Sequence, residues 1–61
     1  NIQIQTNTNA SAGLIFGSSV TLSISVNSTF TINGDVQFNN GGIIGLSGNS
    51  SFIINGNRKI A

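Results

Sequence analysis

The stretch NSTFTINGDVQF, residues 27–38, recurs twenty-two residues later as NSSFIINGNRKI, residues 49–60. Six of the twelve positions are identical, and they are Asn, Ser, Phe, Ile, Asn and Gly, residue types that set turns and buried rungs. A period of this length is the signature of stacked architecture, in which each unit buries its apolar face against a copy of itself.

Around the repeat, apolar residues alternate with small polar ones. Val20, Leu22, Ile24 and Val26 are spaced by twos, with Thr21, Ser23 and Ser25 between them. Period two predicts strands with one buried face. Phe30 and Ile32 continue the alternation, Asn33-Gly34 interrupts it, and Val36 and Phe38 resume it. Phe52 and Ile54 repeat the run. The predicted core and stacking residues are therefore Val20, Leu22, Ile24, Phe30, Ile32, Val36, Phe38, Phe52 and Ile54. A helix is disfavoured, since no apolar set recurs at spacings of three and four and β-branched residues, Ser, Asn and Gly prevail.

Asn-Gly occurs three times, at Asn33-Gly34, Asn40-Gly41 and Asn55-Gly56. The pair accepts the positive φ angles of tight turns, so each is a predicted corner. A shorter unit, Ser-Ser/Thr-apolar-x-apolar, begins at Ser18, Ser28 and Ser50. It suggests strand-plus-corner segments of ten to thirteen residues, two to a coil, with two to three coils in the chain. Residues 18–61 carry the clear repeats. Residues 1–17 read as an irregular first coil, in which Ile2 and Ile4 alternate with Gln3 and Gln5, TNTNASA is a polar loop or corner, and residues 13–16 form a short buried strand. No linker divides the chain, which reads as a single β-repeat unit over 1–61.

The predicted fold is all-β: a β-solenoid, or stacked cross-β-like coils of about 20–22 residues that also stack on neighbouring copies. A meander or small sandwich competes with it, because Asn-Gly between alternating strands is also a strong hairpin signal. Recurrence of the same side chain at each corner favours stacking, which sets Asn on Asn and Phe on Phe.

On the strength of NSTFTINGDVQFNNGG and NSSFIING, the chain from about residue 18 onward resembles the β-solenoid repeats of large bacterial surface adhesins, notably autotransporter passenger domains. That resemblance implies a right-handed β-helix of about twenty residues per coil and an extracellular or cell-surface location. It carries over no functional residues, because what the family shares is a scaffold. The N-terminal third departs from the pattern.

Composition removes most chemistry. Asp35, Arg58 and Lys59 are the only ionisable side chains, and His, Cys, Tyr, Trp, Met, Pro and Glu do not occur. A net charge of +1 gives no electrostatic footprint for nucleic acid or an anionic membrane. No uninterrupted apolar run exceeds three residues, so no membrane-spanning helix is predicted. Without an initiator Met or a basic leader, the chain is expected to be an interior fragment or a processed product. A 61-residue domain lacking disulfide or metal is marginal alone, so neighbours are expected.

Each candidate site has a plainer alternative. Asp35 has no acid–base partner, and its counterpart in the second copy is Asn57, so a solvated turn residue is the better reading than a catalyst or a Ca²⁺ ligand. The nine serines and five threonines lack a base to activate them and read as outward strand residues. Arg58 and Lys59 read as gatekeepers against edge pairing, or as a contact for an anionic surface. Gly41, Gly42, Gly45 and Gly48 match no phosphate-binding motif and are expected to permit sharp turns or close approach. Asn9, Asn27 and Asn49 begin formal glycosylation sequons, yet Asn27 and Asn49 occupy equivalent repeat positions suited to an Asn ladder. Phe16, Phe30, Phe38 and Phe52 are core residues in preference to an exposed stacking platform.

No enzymatic activity, cofactor or metal is expected. The expected function is structural: a self-assembling extracellular or cell-surface fibre or adhesin element, whose partner is itself. The alternative is a slice of a longer autotransporter-type passenger domain that mediates adhesion to a surface ligand.

Overall fold

A computed structural model describes residues 1–60. Its nine short strands are β1 (Ile2–Ile4), β2 (Thr8–Ala10), β3 (Leu14–Phe16), β4 (Thr21–Ile24), β5 (Thr29–Ile32), β6 (Val36–Phe38), β7 (Ile43–Leu46), β8 (Ser51–Ile54) and β9 (Arg58–Ile60). Strands three apart in sequence pair in parallel, giving three sheets ordered β1-β4-β7, β2-β5-β8 and β3-β6-β9. The chain therefore winds through three stacked coils, each contributing one strand to each of three sides. This is an all-β, solenoid-like stack.

The predicted 22-residue period sets the register: Thr8 faces Phe30, Leu14 faces Val36, Thr21 faces Ile43, Phe30 faces Phe52 and Val36 faces Arg58. The exception is the first side of the first coil, where Ile2 faces Leu22 and Ile4 faces Ile24, because the corner between β1 and β2 is two residues short. All pairings are parallel, which removes the meander. Asn-Gly turns from one sheet to the next here, instead of doubling a strand back on itself.

Three strands per coil replace the two predicted. The missed strands are β7, whose Gly45 is expected to permit a turn or close approach but lies within the strand with open space around it, and β2, whose sequence Thr-Asn-Ala has weak strand propensity and lies in the stretch expected to be a loop. Its backbone pairs with Thr31 and its neighbours, and that context overrides local preference. The ten-residue offset between the units at Ser18 and Ser28 likewise marks the step from one side of a coil to the next, not a step between coils.

Burial is concentrated in the middle coil. All six of its inward residues, Leu22, Ile24, Phe30, Ile32, Val36 and Phe38, are buried, joined by Phe16 from the first coil. Val20, Phe52 and Ile54 are partly buried and pack against this cluster. Val26 leaves the predicted alternation and lies exposed in a corner. The Cα extents are 29 × 22 × 13 Å. The shortest fits three coils spaced at about 4.8 Å, so the solenoid is wider than it is tall and its two ends are its broadest faces. Among the described residues no helix is long and apolar enough to cross a membrane.

Candidate stacking interface

Like residues stack from coil to coil along the side chains that the repeat selects. The Phe16 and Phe38 rings lie 5.0 Å apart and nearly parallel, and Phe30 and Phe52 lie 5.5 Å apart in the same way. Phe38 meets Phe52 edge-on at 6.3 Å, tying the two columns together. Offset-stacked and edge-to-face contacts at these distances are the favourable aromatic geometries. At the corner, the Asn55 side-chain amide donates to Asn33 Oδ1 at 2.9 Å. Two residues further along the same corner, Asn57 N–H donates to the Asp35 carboxylate at 2.9 Å, so the only side-chain carboxylate bonds to the next coil's backbone.

All three Asn-Gly pairs lie at corners, but only Gly41 has the left-handed conformation (φ 82°). Gly34 and Gly56 do not, contrary to the expected turn geometry. They are glycine because the corners stack too closely for a side chain: a Cβ on Gly34 would stand 2.7 Å from Gly13 N, and one on Gly56 would collide with the Gly34 carbonyl oxygen. Ser19 (φ 61°) sits beneath Gly41 at the corner before β4.

The corner between the first and second sides varies most. Asn27 is left-handed (φ 58°) in the middle coil, whereas Gly48 takes that role in the third (φ 52°), one position earlier in the repeat. Asn27 and Asn49 are therefore out of phase in backbone shape, and no side-chain hydrogen bond joins them in the expected ladder among the described residues. In the short corner of the first coil, Asn7 Oδ1 accepts from Thr29 N–H at 2.9 Å. One coil later the matching amide, Ser51 N–H, bonds to the Ser28 carbonyl. Asn7 thus supplies with its side chain what the missing residues would have supplied with backbone. Sequence reasoning passed over it because it lies outside the repeat.

Two polar positions depart from the outward placement expected of Ser and Thr. Ser28 is buried, and Thr8 stands in the inward row, in register with Phe30. Arg58 and Lys59 separate: Lys59 follows the outward row of Ile15 and Gln37, while Arg58 follows the inward row of Leu14 and Val36. Arg58 is thus an inward charge on an edge strand, one of the devices that discourage edge pairing. It lies on the end face, beside a hollow bordered by Phe38, Gly42, Ile44 and Ile60.

That end face is the candidate site. Ile44, Leu46 and Ile60, in register with buried residues of the middle coil, are 43 %, 55 % and 76 % exposed. Strands β7, β8 and β9 are each hydrogen-bonded on one side only, as are β1, β2 and β3 at the other end. The arrangement offers unpaired strand edges around an apolar floor. Among the described residues no three His, Cys, Asp or Glu side chains gather to hold a metal ion. No protein-family model, curated protein or solved structure matches the chain.

Proposed function

We propose that this chain is a structural element that works by β-stacking, adding coils to a column in an extracellular or cell-surface fibre. One observation carries the reading: the inward residues of the middle coil are all buried, whereas their counterparts in the third coil, in the same register, are exposed at Ile44, Leu46, Arg58 and Ile60 and only partly buried at Phe52 and Ile54. A further coil laid on that face gives it the environment the middle coil already has. The low charge supports the reading, since copies carrying +1 each repel little. The surface location rests on the resemblance of the Asn-, Ser- and Gly-rich repeats to adhesin solenoids.

The same open register fits the next coil of a longer adhesive passenger domain, and the resemblance to such domains favours this as the second reading. Sedimentation and negative-stain microscopy of the 61-residue chain over a wide concentration range separate the two. Self-assembly predicts growing particles with a repeat of about 4.8 Å along their axis. A chain that stays monomeric at high concentration removes self-assembly and leaves the passenger-domain reading standing.

A further inference from the structure

We infer that stacking between copies is polar and in register: the third coil of one copy seats on the first coil of the next, continuing the 22-residue column. The inference rests on the self-assembly reading and adds to it the faces, direction and alignment of contact.

Strand direction is the first argument. Every pairing inside the chain is parallel. Only head-to-tail contact keeps the strands parallel on all three sides. Turning one copy over to bring two third coils together reverses the winding sense of one of them, and the edges then meet antiparallel, with the inward rows out of alignment.

Side-chain size is the second. On its second side the third coil presents bulky Phe52 and Ile54, while the matching positions of the first coil are Thr8 and Ala10. Thr8 and Ala10 already face Phe30 and Ile32 on their inner side. Head-to-tail contact places equivalent residues, Phe52 and Ile54 of the next copy, on their outer side. On this side of the solenoid, tail-to-tail contact brings two bulky sets to the interface, whereas head-to-head contact brings two small ones and forfeits dispersion contacts.

Charge is the third. Arg58 stands in an inward row at the third coil's face. Tail-to-tail contact encloses two such guanidinium groups in one apolar interface without a carboxylate, a costly arrangement. Head-to-tail contact encloses one guanidinium per interface instead of two, with the Arg58 stem laid over Leu14 of the next copy. The shortened first corner is no obstacle, because it already packs against a full-length corner in the middle coil.

The absence of cysteine from the chain makes this testable by disulfide mapping. Gln3, Ser23 and Gly45 form one outward column. In the inferred register Gly45 of one copy lies one strand spacing from Gln3 of the next, within reach of a disulfide. A Cβ at position 45 comes no nearer than 4.0 Å to another atom, so Gly45→Cys is sterically accommodated. Assembled Gln3→Cys and Gly45→Cys chains, mixed and oxidised, should give the mixed dimer as dominant product, with the double variant forming a ladder of oligomers. Ile15→Cys with Lys59→Cys, on another side, should behave alike and covers a folding failure in the first pair. Dominant Gly45→Cys or Gln3→Cys homodimers overturn the polarity. Particles that form normally but yield no mixed dimer with either pair overturn the register. Wild-type chain that never assembles overturns the self-assembly reading, and the inference with it.

Discussion

Asn33 and Asn55, one coil apart at the same corner, are joined side chain to side chain at 2.9 Å, Asn33 accepting through Oδ1 and Asn55 donating through its amide. The bond has a direction, so the two residues differ in what they tolerate. Asn33→Asp keeps the acceptor. Asn55→Asp removes the donor and sets a carboxylate against a carbonyl oxygen. We expect Asn55→Asp to lose about 1 kcal/mol of stability in urea titration and Asn33→Asp to lose less. Equal losses would mean that the bond does not discriminate donor from acceptor.

Glycines at the corners are sensitive for a steric reason. Gly34→Ala and Gly56→Ala each push a methyl group into backbone of the neighbouring coil, and overpacking of this kind costs about 1–3 kcal/mol. Gly45→Ala meets open space and serves as the control. Thermal unfolding that ranks Gly45→Ala with the other two would refute close coil approach as the cause.

Position in the stack should grade the phenylalanines. Phe30 is buried between coils, so Phe30→Ala should cost about 3–5 kcal/mol. Phe52 occupies the same column but is only half-buried at the end, so Phe52→Ala should cost the monomer distinctly less. It should nevertheless raise the concentration needed for assembly, measured by sedimentation. A Phe52→Ala chain that assembles like wild type would remove this ring from the contact.

Arg58 is the one inward position in the third coil that breaks the apolar row of Leu14 and Val36. Arg58→Val restores it. The variant should assemble at lower concentration and with weaker salt dependence, and it should begin to yield tail-to-tail disulfides in the Gly45→Cys background. An unchanged assembly threshold would show that the guanidinium does not bear on stacking.

How much of this was legible in the sequence differs from residue to residue. Phe30, Phe52, Ile32 and Ile54 announce the column because repeat and alternation coincide there. The three-sided coil was hidden by β2, whose Thr8, Asn9 and Ala10 form a strand only because β5 pairs with it, and by β7, where Gly45 interrupts the apolar pattern. The corners at Asn33-Gly34 and Asn55-Gly56 were visible, but their cause was not, since two-letter turn chemistry cannot distinguish a glycine needed for φ from one needed for space. Asn7 and the inward setting of Arg58 required the register, which no local pattern prints. The end face emerged only from comparing burial of equivalent residues in successive coils.

The wide, shallow shape also bears on hydrogen exchange. Alone, one coil in three is flanked on both sides, so β4, β5 and β6 should be protected along their whole length, whereas the end coils should keep slow exchange only at amides that bond to the middle coil, such as Leu14, Ile43 and Ser51. Stacking a second copy turns two inner end coils into flanked ones, bringing the fraction to two in three. The first association step therefore recruits more newly protected backbone per chain than any later step. Folding and assembly then draw on the same free energy, and the melting temperature rises with protein concentration.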